Sequence, residues 1–203
     1  PTRSQRMTAQ TATTIHPLCD ALADAFERKG VAVRANLSPG LAREEILRIV
    51  EPLGIALPED VIALYEWRNG HLDEFAEDVI RFRDNTFISL ERAVEEHAQL
   101  MSIYAVDSTL EDDRVDLQAA LPISFFEGSC DVVACGAHLH HDAGDHPVIR
   151  VFEGIDMYYP SIESMLRICT EWVSHPDWDA ADGFPGDAEM EIWQKHVPGI
   201  FGG

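Results

Sequence analysis

Basic side chains are scarce in this sequence: Lys and Arg number 15 against 36 Asp and Glu in 203 residues, a formal net charge of −21. A chain so acidic is repelled by nucleic-acid phosphates and by anionic lipid surfaces, so direct binding to nucleic acid or membrane is not expected. Cysteine is scarce too. Four of them (Cys19, Cys130, Cys135 and Cys169), with no C-x-x-C spacing, are too few for a disulfide scaffold. No apolar run reaches the ~18 residues that cross a bilayer, and the opening residues lack the charged-then-apolar layout of a secretion signal. A soluble, cytoplasmic protein is the expectation. Missing as well are His-Glu-x-x-His, Gly-x-Ser-x-Gly and the phosphate-cradling Gly-x-x-x-x-Gly-Lys-Ser/Thr. One histidine-rich stretch aside, no enzyme signature remains.

What is present is enough for a folded core, with 46% hydrophobic and 8% aromatic residues. The charge is uneven. Residues 1–50 carry a net +2, which leaves −23 on the rest. Residues 1–14, rich in Thr, Gln and Ala, show no apolar periodicity and read as a flexible lead-in. A domain over residues 15–175 follows, with helices first. Leu18, Leu22 and Phe26 predict a helix from Pro17 to Lys29, stopped at Gly30. A second is expected after Ser38-Pro39, with Ser38 as cap and Ile46, Ile49, Val50 and Leu53 inward. A third starts at Leu57-Pro58 and closes at Asn69-Gly70.

Phe87-Ile88-Ser89-Leu90 predicts a short strand leading into a helix whose inner stripe is Leu90, Ala93, Val94, His97, Ala98 and Met101, with His97 as a core histidine. Strands follow at Leu121–Phe126, Asp131–Cys135 and Val148–Phe152, and Tyr158-Tyr159 extends the sheet. Tyr159-Pro160-Ser161 launches a closing helix with the stripe Ile162, Met165, Leu166, Cys169, Trp172 and Val173. Helices, then strands, then a helix predict an α+β domain with an antiparallel or mixed sheet. The absence of a strand, Gly-rich turn and helix in series disfavours a nucleotide-binding fold. Residues 176–203 hold Trp178, Ile192, Trp193 and Phe201, too apolar for a linker, and are expected to pack on the domain or on a second copy, a possible homodimer.

The candidate chemistry is sparse. His138-Leu139-His140-His141-Asp142-Ala143-Gly144-Asp145-His146 holds four His and two Asp, the usual ligand types for Zn²⁺ and Fe²⁺. His138, His140 and Asp142 match the His-x-His-x-Asp-His pattern of metallo-β-lactamase-like hydrolases, but Ala143 stands where that pattern needs its last ligand. Too little chain follows for the remaining ligands. The stretch reads better as a polar hairpin tip, and any metal would use His138, His140, Asp142 and His146. No cofactor is expected. Two acidic clusters stand out instead: Asp73, Glu74, Glu77 and Asp78, and Glu111, Asp112, Asp113 and Asp116, the latter joined by Asp142 and Asp145. Either is a solvated surface or a contact for a cationic partner.

The stretch Leu57-Pro58-Glu59-Asp60-Val61-Ile62-Ala63-Leu64-Tyr65-Glu66-Trp67-Arg68-Asn69-Gly70 resembles the signature of the SUKH superfamily, which unites a fungal cell-wall-synthesis regulator with many bacterial immunity proteins. Phe87–Leu90, Leu121-Pro122-Ile123, Glu127-Gly128, the Cys130–Cys135 and Val148–Phe152 pair, and Ile162–Trp172 resemble its later elements in the same order. The resemblance covers about residues 40–175. It implies a single α+β domain with no enzymatic activity that binds a protein, in bacteria an immunity protein neutralising a toxin. The charge is compatible with the mechanism that the resemblance implies: an acidic surface fits the basic cleft of a toxin domain that attacks nucleic acid. A regulatory scaffold is the first alternative, and a metal-dependent hydrolase at the histidine-rich hairpin the second.

Overall fold

A computed structural model describes residues 3–104, 116–136, 146–152, 154–180 and 186–197. Helix α1 (Arg3–Arg28) begins near the start of the chain and not at Pro17, which lies inside it. Pro17 withdraws one N–H from the helical ladder there, and the lead-in expected over residues 1–14 is helical in backbone from Arg3. Of the predicted stripe, Leu22 and Phe26 are buried and Leu18 is half-buried, while Cys19 and Ala23 are buried beside them.

A short helix α2 (Val33–Asn36) leads into strand β1 (Leu37–Pro39). Ser38 and Pro39 therefore belong to a strand and do not cap a helix. Helix α3 (Arg43–Val50) starts later, at an Ala42 cap with no side-chain bond. Helix α4 (Glu59–Trp67) is capped by Pro58 and carries two acids in its first turn, where the helix dipole favours them. It runs straight into β2 (Arg68–His71), the antiparallel partner of β1. Asn69-Gly70 is thus strand and not turn, and the glycine is required on two counts. Gly70 has φ +65, and a Cβ there would stand 2.3 Å from the Ser89 nitrogen.

The main sheet has six strands in sequence order: β3 (Arg81–Phe82), β4 (Asn85–Phe87), β5 (Ala120–Phe126), β6 (Ser129–Ala134), β7 (Val148–Val151) and β8 (Ile155–Tyr159). Every pairing is antiparallel. The strand expected at Phe87–Leu90 occupies Asn85–Phe87, because Leu90 already opens α5 (Leu90–Tyr104).

Alternation along the strands sorts the sheet into two faces. Val133 and Val148 join the larger core with α1, α4 and α6 (Ile162–Ser174), while Cys130, Val132, Ile149 and Val151 join Leu100 of α5 on the other side. The α6 stripe is buried throughout, and Ser161 caps the helix by accepting from the Ser164 N–H at 3.1 Å. In α5 the buried face is Leu90, Ala93, Glu96, His97 and Leu100. It differs from the expected stripe: Ala98 is exposed and Glu96 is inside, ion-paired to Arg92 one turn earlier. His97 is the core histidine expected, its Nε2 bonded at 3.2 Å to the Gln118 carbonyl.

Helix α7 (Gly186–His196) folds back on α6. Trp193, 1% exposed, stacks on Tyr159 at 4.8 Å and meets Trp172 edge-on at 5.7 Å. Lys195 and His196 both reach Glu171 at 2.7 Å. No described helix is long and apolar enough to cross a membrane.

Candidate functional site

The first acidic cluster sits on the segment 72–78, between β2 and β3, and its base is tied down at both ends. The Asn36 amide brackets the Asp73 backbone, donating through Nδ2 to the Asp73 carbonyl at 2.8 Å and accepting from its N–H at 3.0 Å. His71 accepts the Ile80 N–H on Nε2 at 2.8 Å, closing the two ends of the loop on each other. That bond needs a neutral ring. Burial pushes the imidazole down to about 4, against the opposing pull of the Asn36 backbone and the Asp78 carboxylate. Within the loop, the Asp73 carboxylate accepts from the Phe75 N–H at 3.0 Å, an Asx turn that sets the tip.

What this base presents is mixed in chemistry. Leu72 and Phe75 are 72% and 82% exposed, the most exposed large hydrophobic side chains among the described residues. Glu74 lies 3.7 Å from Arg92. Asp73, Glu77 and Asp78 have no ion-paired cation among the described residues. The loop therefore carries two exposed apolar side chains among four acids close in sequence.

The other candidates fall elsewhere. Asp116 caps a 3-10 turn (Leu117–Ala119), accepting from the Gln118 N–H at 3.0 Å, next to Gly136 at the end of β6. Glu111, Asp112, Asp113, Asp142, Asp145, His138 and His140 lie outside the described residues. His146 is described: its Nδ1 is bonded at 3.0 Å to the Ala134 carbonyl. Among the described residues no three His, Cys, Asp or Glu side chains group as a metal site. Burial pushes the Cys130, Cys135 and Cys169 thiols up to about 12 and raises that of Cys19 as well. These are poor nucleophiles, since reactivity belongs to the thiolate.

Two arrangements escaped the sequence reading. Asn69 accepts the Leu90 N–H on Oδ1 at 2.8 Å and donates to Glu91 at 2.9 Å, so it caps α5 from a distance. The apolar texture of β6 and β7 also hides a charged cluster. Asp131, fully buried, accepts from Ser124 at 2.7 Å, Asn85 at 3.0 Å and Arg150 at 3.0 Å, and Arg150 reaches on to Asp84 at 3.3 Å. The available signal was an acid in one apolar strand and a base in the next; their register, Asp131 opposite Arg150, completes it.

Comparison with known proteins agrees with this fold. The model of the SMI1 / KNR4 family (SUKH-1) matches residues 40–168, a stretch that runs from just after β1 into the middle of α6. A search of curated proteins returned no match. The matched part includes the Leu57–Gly70 segment, the six-stranded sheet and the acidic loop, and leaves α1 and α7 outside. On that match the chain belongs to the SMI1 / KNR4 family (SUKH-1) of the SUKH superfamily.

Proposed function

We propose that this chain is a non-catalytic protein-binding module that works as an immunity protein, neutralising a cognate toxin by seating the toxin's basic surface on the loop 72–78. Family membership supports a protein-interaction or immunity-type role. The observation that carries the choice of surface is the exposure of Phe75 and Leu72 on a loop that also carries Asp73, Glu74, Glu77 and Asp78. Binding energy at interfaces concentrates on a few apolar or aromatic anchors. Surrounding charge speeds encounter and rejects wrong partners. The anchored base means that little order has to be gained on binding, which lowers the cost of association.

The test is a titration against the purified toxic domain encoded beside this chain's gene, at low and at high salt. The expected result is tight binding that weakens steeply with salt, and a further loss of about tenfold or more for Phe75→Ala at both salt levels. Binding that ignores salt removes charge complementarity from the proposal. Binding that ignores Phe75→Ala removes the loop.

A further inference from the structure

A cavity of about 280 Å³ opens between the end of α1, helix α6, strand β3 and residues 178–180. Its volume falls just below the ~300–1,000 Å³ of ordinary small-molecule pockets, which suits one ring-sized group. Strand β3 and its flanking residues build one wall: Val79, Arg81 and Arg83 line the cavity, while Ile80 and Phe82 are buried at 1% exposure each. Phe26, Trp172 and Trp178 supply aromatic surface. The Phe26 and Trp178 rings meet edge to face at 5.5 Å, a contact that holds both in orientation.

The charges on the lining are not equivalent. Arg83 is engaged by Glu189 at 2.7 Å, and Asp84 by Arg150 at 3.3 Å. Arg81 is half-buried and among the described residues has no ion-paired carboxylate. Arg34, Arg43, Arg83, Arg92 and Arg150 each have at least one. Arg68, also half-buried without an ion pair among the described residues, is held by the Trp67 carbonyl at 2.8 Å and lies 5.6 Å from the Trp67 ring centre, contacts that Arg81 does not have among the described residues. Glu77 also lines the cavity without an ion pair, but it is exposed, and water screens its charge more than that of Arg81.

We infer that this cavity binds an aromatic carboxylate, its ring against Phe26 and Trp178 and its carboxylate on the Arg81 guanidinium. Guanidinium and carboxylate match in a planar, two-point hydrogen bond, and the aromatic walls take the ring. Free aromatic acids and peptides ending in an aromatic residue carry that same group. The site shares Glu77 with the acidic loop but asks nothing of Leu72 or Phe75.

The experiment is a titration of the full chain with 3-phenylpropionate and with 3-phenylpropionamide, followed by tryptophan fluorescence. The acid should give a saturable change and the amide should bind about tenfold more weakly or worse, as expected for loss of a charge-assisted bond. Arg81→Gln should erase the difference between acid and amide, Arg81→Lys should keep part of it, and Trp178→Phe should remove most of the signal. Urea midpoints of the three variants establish that they fold. N-acetyl-glycyl-phenylalanine, compared with its amide, separates the sources: binding as tight as the free acid assigns the site to chain ends, and binding of the free acid alone assigns it to small molecules. No saturable change at millimolar acid, equal affinity for acid and amide, or an Arg81→Gln variant that still prefers the acid would each overturn the inference.

Discussion

Asp131 and Asp73 are the same residue in opposite circumstances. Asp131 lies in the middle of the sheet with no exposed surface, and hydroxyl, amide and guanidinium donors satisfy it. Asp73 lies on an exposed loop, where its carboxylate turns the chain by accepting from Phe75 and no cation among the described residues answers it. The scarcity of basic residues explains the contrast. Arg150 serves Asp131 and Asp84, Arg92 serves Glu74, Glu95 and Glu96, and Arg34 serves Asp20, Asp24 and Glu27. Arginines that hold several carboxylates each leave few cations for the loop 72–78. The interior is charge-matched, and the excess of negative charge is left at the surface.

The comparison breaks first if the buried cluster is dispensable. Asp131→Ala leaves Arg150 without its buried partner and strands the Ser124 and Asn85 donors. Removing one member of a buried pair costs roughly 3–5 kcal/mol, to be read as a lower urea midpoint with an unchanged slope. A loss under about 1 kcal/mol, the range of a surface ion pair, would mean that the cluster is effectively solvated and that the two regions do not differ.

His71 gives the next largest effect and ties the loop to acidity. Its folded value, about 4, lies below the ordinary 6.5, so between those values the unfolded chain binds more protons. Stability from this group is therefore complete above about pH 6.5 and is lost as the pH falls toward 4, a change on the order of 3 kcal/mol. His71→Gln keeps a possible acceptor for the Ile80 N–H but cannot titrate. Its urea stability, followed from pH 7 to pH 4, should fall less steeply than that of the parent by about one proton. Parallel curves would show that the histidine is not held neutral.

Much of this architecture is legible in the sequence because local pattern and tertiary role coincide. The α6 stripe and the Ser161 cap needed only periodicity and a capping residue, and the strands from Leu121 onward needed only β-forming runs between turns. The misreadings come where a distant partner decides. Ser38-Pro39 looks like a helix start, yet pairing with β2 makes it a strand. Glu96 looks like a solvated position, yet Arg92 one turn away lets it face inward. The acidic cluster at Asp73–Asp78 was visible as charge alone. Its anchoring was not, because Asn36 lies 37 residues from Asp73, and the aromatic knob was passed over because Phe75 resembles any core residue in composition. The cavity could not be seen at all, since its walls come from five separate segments.

Asn36→Ala sharpens the comparison from the loop side. It removes two bonds to the Asp73 backbone and should cost about 1 kcal/mol, a typical net value for hydrogen bonds whose backbone partners can turn to water. The readout that matters is local: amide exchange at Asp73 and Phe75 should speed up while the sheet strands stay protected. Equal acceleration in both places would make Asn36 an ordinary core residue and not an anchor of the loop.

The smallest effect on stability belongs to Phe75→Ala, and that smallness is the point. A ring 82% exposed has little burial to lose, so the urea midpoint should correspond to a change within about 0.5 kcal/mol. Under the proposed function the same substitution weakens partner binding, whereas Asp73→Asn with Glu77→Gln should slow association and flatten the salt dependence with less effect on dissociation. A residue kept for folding shows the reverse order, with stability falling and binding following it down. If Phe75→Ala destabilises the chain by as much as Asp131→Ala, the loop is part of the core after all, and the division between matched interior and unmatched surface is lost.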